Sequence, residues 1–232
     1  KGTLDSIENA DMVFVSIPVE AITKLLPQIL DKVGENTLVV DFGSTKTAIC
    51  EAVATHPKRD QFLAAHPIAG TEFSGPDAAI PNLYDGKTMM LCEATRTRPD
   101  LLQRAENLLK ELNMVVRHMD PVAHDRHIAY VSHLSHITSF MLGKTVLEKE
   151  TDEQNIFDMA GSGFASTVRL AKSSPEMWMP IFMQNKDNVL ETLNEYISNL
   201  NAFKEKLEAE AVEELLADMK DINRIKSILK HN

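Results

Sequence analysis

The hydrophobic pattern of this chain changes period once, at Asp120-Pro121, and that change limits the folds open to it. Upstream, short runs rich in apolar or β-branched residues, closed by Pro, Gly or Asp, predict strands over residues 12–17, 37–42, 61–65, 87–92 and 114–118. Between them, Ile22, Leu25, Leu26, Ile29, Leu30 and Val33 recur at three-to-four spacing, as do Leu101, Leu102, Ala105, Leu108, Leu109 and Leu112, which predicts helices over 20–33 and 98–112. Strand, helix, strand in this order implies parallel pairing through right-handed crossovers, an open α/β sheet. Downstream, Asp120 is a helix N-cap with proline at the first helical position, and nearly everything that follows has helical periodicity. The expectation is an α/β domain over residues 1–120 followed by an all-α domain over 121–232. Ser174-Pro175 repeats the start signal for a helix running past Leu193, and Leu207, Ala211, Leu215, Met219, Ile222 and Leu229 form one stripe on a charged terminal helix.

Charge and cysteine content narrow the partners. Acidic residues outnumber basic ones 34 to 24, a net charge of -10, which argues against a nucleic acid or an anionic membrane as a general partner. An anionic small molecule would need dedicated arginines. Cys50 and Cys92 stand far apart in predicted regular structure, so neither a disulfide framework nor a zinc site is expected, and the reducing cytoplasm is the expected compartment. No apolar run approaches the roughly 18 to 20 residues that span a bilayer, and the first residues lack the apolar core of a signal peptide.

Four clusters carry candidate chemistry, each beside a plainer reading. Asp41-Phe42-Gly43-Ser44-Thr45-Lys46 ends a strand and opens a helix, where an open α/β sheet binds its ligands; a glycine turn with a serine cap would look the same. His66-Pro67-Ile68-Ala69-Gly70-Thr71-Glu72 follows a strand, and a histidine there has the position and near-neutral pKa of a general base, or is incidental to a surface loop. His124, His127, Ser132, His133 and His136 lie along one helix, on which Ser132 and His136 share a face while His133 points about 100° away from Ser132. No carboxylate or third ligand joins these histidines at metal-binding spacing, so no metal is expected. Gly161-Ser162-Gly163 has no strand before it and no third glycine, so it is not a dinucleotide turn; Arg169, entering an apolar helix, needs an anionic partner, either a ligand or an internal carboxylate.

Together these segments resemble the prephenate dehydrogenase family. Its D-x-G-S-x-K is matched by residues 41–46, its H-P-x-A-G-x-E-x-S-G by 66–75, its M-D-P-x-x-H-D by 119–125 and its S-H-L-P-H by 132–136. Its G-x-G-F…R-x-A-x-S-x-P-x-M-W run is similar to residues 161–178. Ser135 stands for the usual proline, Ser162 for a common glycine, and Ala165-Ser166 for a basic-acidic pair, a change that bears on how Arg169 is held. Residues 1–11 correspond to the approach to the fourth strand of the family's Rossmann domain, so its Gly-rich turn and acidic ribose-binding residue are expected to lie outside this sequence.

The resemblance implies NAD-dependent oxidative decarboxylation of prephenate, with NADP or arogenate as alternatives on the same scaffold, or a dimerising fragment without turnover. It assigns His66 as proton acceptor and Ser44 as the group orienting it; Arg169, His136, Ser132, Glu72, Trp178 and Gly163 to the substrate; and Ser44, Pro18 and Gly43 to the cofactor. It also implies a homodimer built through the helical domain.

Overall fold

The computed structural model describes residues 2–73, 75–153 and 155–229. Strands β1 (Met12–Val15), β2 (Leu38–Asp41), β3 (Phe62–Ile68), β4 (Thr88–Cys92) and β5 (Val115–Met119) form one sheet in that order. Helices α1 (Val19–Lys32) and α2 (Thr47–Ala52) cover one face of it, and α3 (Pro99–Glu111) the other. Strand alternation explains the division. Val39, Phe62 and Ala64 join Ile22, Leu26, Ile29 and Leu30 of α1, while Leu38, Val40, Leu63 and Ala65 join Leu101, Ala105 and Leu109 of α3. Central strands buried on both faces need the unbroken apolar runs seen in the sequence. Each fully buried side chain such as Phe62, 0% exposed, contributes about 1.5–3 kcal/mol.

Two expectations for the sheet are corrected. β1, β2 and β3 are parallel, but β4 runs antiparallel to β3, from Ala64↔Cys92 to Ile68↔Thr88. A parallel crossover needs a helix to carry the chain back, and the intervening segment, which holds Gly70, Gly75, Pro76, Pro81 and Gly86, builds among its described residues only one short 3-10 turn, Pro76–Ala78, before the chain pairs directly. β3 also runs past the expected Ala65, so His66 and Pro67 lie within the strand. The pairing of β2 with β3 stops at Asp41↔Ala64, so the N–H that Pro67 lacks removes no bond on that side.

Asp120 caps α4 (Pro121–Ile128) as its signature predicts, its carboxylate accepting from the N–H groups of Val122 and Ala123. A π-helical turn, Ala129–His133, then leads into α5 (Leu134–Glu153), followed by α6 (Ser162–Thr167) and α7 (Pro175–Gln184), capped by Ser174. The helix expected to run past Leu193 breaks at Asn185, whose side chain is engaged elsewhere, before α8 (Lys186–Glu208) begins. The expected terminal helix is also broken, into α9 (Val212–Ile222) and α10 (Ile225–Ile228), and Glu210 at φ 51 marks the first turn. By internal contacts the chain divides into two compact units, residues 1–189 and 190–232. Among the described residues no helix is long and apolar enough to cross a membrane, and Cys50 and Cys92 are buried free thiols.

Candidate active site

The extension of β3 past β2 places His66 beyond the end of the parallel pairing, on the sheet face that Ala64 shares with α1 and α2. His66 Nδ1 lies 2.9 Å from His124 Nε2 of α4. His124 Nδ1 lies 2.8 Å from Asp125 Oδ1. Asp125 Oδ1 also accepts from the Lys46 N–H at 2.7 Å, and Oδ2 from the Thr47 N–H at 2.8 Å, which joins α4 to the start of α2. Lys46 is fully buried. Its ammonium pairs with Asp41 and donates to the Ala65 carbonyl at 2.7 Å, tying β2 to β3 beneath His66.

The electrostatics follow from burial. Desolvation, then the proximity of His124, Lys46 and His133, holds the His66 pKa well below the ordinary histidine value, so the near-neutral value expected of it as a general base is corrected downward. Burial alone would raise Asp125, but the hydrogen bonds from His124, Thr47 and Lys46 outweigh it and keep the carboxyl ionised below the usual range. His133 is pushed down to about 4, chiefly by burial.

A second string of side chains leads away from Asp125. Asn185 Nδ2 donates to the Asp125 carbonyl at 2.7 Å and lies 3.2 Å from His133 Nδ1. His133 meets the Trp178 ring edge-on, with centroids 5.9 Å apart, and Trp178 stacks on His136 at 3.5 Å. His136 Nδ1 donates to the Ser132 carbonyl at 3.0 Å. Trp178 packs with Val19 and Ile181, so the start of α1, capped by Pro18, abuts the Trp178 end of the site. Beyond His136, whose pKa the Arg169 charge helps to depress after burial, Arg169 Nη1 donates to Glu72 Oε2 at 2.7 Å. The arginine is 50% exposed.

The structure thus brings His66, His136, Ser132, Trp178, Arg169 and Glu72 along one connected path, and Pro18 to its edge. Arg169 takes an internal carboxylate, Glu72, in this state. No hydrogen bond joins Ser44 to His66 among the described residues, and His66 Nδ1 is directed across to His124 of α4. Gly43 is closely packed: a Cβ there would meet the end of Ile49 at 2.7 Å, Asp41 at 3.0 Å and Ile22 at 3.1 Å, so these side chains would have to shift. Gly163 is exposed, and a Cβ on it would meet nothing within 4 Å. Sequence reasoning gave no role to His124, Asp125, Lys46 or Asn185. The signal for the first two was present, a histidine and an aspartate adjacent at the start of a capped helix. Among the described residues no group of three or more metal-ligating side chains converges. A cavity of about 240 Å³ under α3 is lined by apolar side chains on the other face of the sheet and offers no polar group to a reaction.

The nucleotide-binding domain of prephenate dehydrogenase matches residues 1–118, and its dimerization domain matches residues 120–221. The chain belongs to the prephenate dehydrogenase family. A solved prephenate dehydrogenase from Aquifex aeolicus, 31% identical, superposes with a TM-score of 0.88 over 99% of this chain and 82% of that one. The same enzyme in complex with hydroxyphenyl propionate and NAD+ is similar over 100% of this chain and 81% of that one, at 32% identity and a TM-score of 0.88. Synechocystis arogenate dehydrogenase, 26% identical, gives a TM-score of 0.80 over 97% of this chain and 81% of its own. A prephenate dehydrogenase of Bacillus subtilis is 30% identical over 91% of this chain, which spans 58% of that protein's length. The residues present suit the nicotinamide end of a dinucleotide. The C-terminal ends of β1 and β2 lie side by side through Val15↔Asp41, and the turn Phe42-Gly43-Ser44 follows directly, next to the β3 end that carries His66.

Proposed function

We propose that the protein containing this chain carries out NAD-dependent oxidative decarboxylation of prephenate to 4-hydroxyphenylpyruvate in tyrosine biosynthesis. The observation that carries this reading is His66, a part-buried imidazole held neutral at the carboxyl edge of the sheet, with Arg169 at the far end of the same path. Bound NAD+ supplies the hydride acceptor. His66 takes the proton of the C4 hydroxyl as carbonyl character develops, and returns it to the phenolate oxygen once carbon dioxide has left C1 and the ring is aromatic. Because the proton is borrowed and returned, the base must keep it from solvent between the two events; His66 is only part-buried, but the His124 ring behind it is buried.

Arg169 offers a planar fork to a substrate carboxylate in exchange for Glu72. His136 on Trp178, with Ser132 beside it, lines the middle of the pocket, and Gly163 leaves room near Arg169. Pro18, Gly43 and Ser44 face the nicotinamide end. The helices of residues 121–232 join two copies; Leu200, Phe203, Leu207 and Met219 are exposed apolar positions of the kind such a contact covers. NADH formation by the complete enzyme, with prephenate and arogenate compared as substrates and NAD+ and NADP+ as cofactors, tests the assignment. Faster turnover of arogenate would move it to the sister activity, and turnover of neither would end it.

A further inference from the structure

The Asp125 carboxylate dictates where the protons sit on two histidines in succession. Each of its oxygens already accepts a backbone N–H, from Lys46 and from Thr47, so Asp125 is an acceptor on both sides. His124 Nδ1, 2.8 Å from Oδ1, must therefore carry a hydrogen. A neutral His124 anchored in this way presents a lone pair at Nε2. That lone pair faces His66 Nδ1 at 2.9 Å, so His66 Nδ1 carries a hydrogen in turn, and its Nε2 is left bare.

We propose that Asp125 and His124 are positioning residues that fix His66 in the Nδ1–H tautomer and act as its proton reservoir. The inference rests on the reading of His66 as the proton acceptor. When the substrate hydroxyl gives its proton to His66 Nε2, the Nδ1–H bond of His66 breaks and an Nε2–H bond forms on His124. His66 is neutral again, and the single positive charge sits on His124 against the Asp125 carboxylate. The same two transfers in reverse return the proton to the phenolate, so no proton is gained or lost overall.

The surroundings favour that location of the charge. The groups whose proximity depresses His66 are His124 from α4, Lys46 from the turn after β2 and His133 from the π turn, and the Asp41 carboxylate nearby is taken up by Lys46 and by the N–H groups of Gly43 and Ala65. The Lys46 ammonium pairs with Asp41, so it repels without offering His66 a counter-charge. Asp125 is one residue further and touches His124 alone of the two rings. A cation is thus poorly placed on His66 and well placed on His124, at a separation of one hydrogen bond.

Nitrogen-15 NMR of histidine-labelled protein at a pH above the ordinary histidine range reads the tautomers directly, without substrate or turnover. The His66 and His124 signals are assigned by their loss in His66→Asn and His124→Gln. Both rings should be Nδ1-protonated, the form that free histidine disfavours. In His124→Gln the amide oxygen can still accept from His66 Nδ1, so His66 should keep its tautomer, while turnover of the complete enzyme falls roughly tenfold or more with KM little changed. In His124→Leu, His66 should revert to Nε2–H. Nε2-protonated His66 in the wild type, or a His66 tautomer indifferent to leucine, would overturn the positioning role. Wild-type turnover in His124→Gln would overturn the reservoir. An inactive enzyme with the expected tautomers would instead fault the assigned reaction.

Discussion

The two ends of the candidate site are built on opposite principles. At the proton end, His124, Asp125, Lys46 and Asp41 are buried and His66 is part-buried, and all are locked to strands, turn and helix by bonds that include backbone donors on both Asp125 oxygens. At the carboxylate end, Arg169 stands half exposed and is held by one bond to Glu72. Removing one partner of a buried pair leaves an uncompensated charge, at a cost of about 3–5 kcal/mol, whereas an exposed pair is worth about 0–1 kcal/mol. The interior end is therefore set before any ligand arrives, and the outer end can trade its partner for a ligand at little expense.

The largest effect should come from His66→Asn, which lowers kcat by a factor on the order of 100 to 10,000 with little change in KM, because a general base acts mainly in the transition state. Since the His66 pKa is depressed by burial and by its cationic and histidine neighbours, the acid limb of wild-type activity should lie below the ordinary histidine range. Unaltered kcat in the variant would remove the distinction between the two ends. Next in size is Lys46→Met, which strands Asp41 and should destabilise the fold by about 3–5 kcal/mol in chemical denaturation; a loss under about 1 kcal/mol would class the pair with surface bridges.

The third effect is a pH dependence of stability. The folded-state pKa of His133 is lowered from 6.5 to about 4, so below pH 6.5 the unfolded chain binds the proton that the folded chain refuses. Stability present above that pH is lost as pH falls towards 4, by about 3.5 kcal/mol at most, at about 1.4 kcal/mol per pKa unit. His133→Asn should flatten this part of the profile, and an unchanged slope would count against a neutral, buried His133. The smallest effects belong to the open end. Arg169→Gln should weaken substrate binding by about 1.5–3 kcal/mol, the worth of a hydrogen bond to a charged group. Glu72→Gln should change stability by less than about 1 kcal/mol. A larger stability loss from either would mean that the Arg169–Glu72 pair is a structural tie and not an exchangeable contact.

What the sequence reveals and what it hides divide along the same line. Strand positions, the caps at Asp120 and Ser174, and the helical faces of α1 and α3 are local properties and could be read directly. The direction of β4 depends on what a loop fails to build, which no strand pattern records. The His66–His124 bond joins residues 58 apart, and the Lys46–Asp125 bond joins residues 79 apart. Composition supplied the residues, but only the docking of α4 against the β2 turn made them neighbours. Asn185 was hidden for a related reason. It interrupts a good helical pattern because its side chain serves Asp125 and His133, a tertiary demand that overrides local propensity.

The π turn at Ala129–His133 sets the angular register between α4, which carries His124 and Asp125, and α5, which carries His136. Such a turn accommodates one residue more than α-helical winding would. Deleting Val131, whose side chain is 72% exposed, would let ordinary winding resume and would rotate one helix against the other by about 100°. The aspartate-histidine couple and the histidine on Trp178 could then no longer face a common substrate. At Val131 itself, exposed to solvent, the protein should tolerate almost any change of letter and almost no change of count.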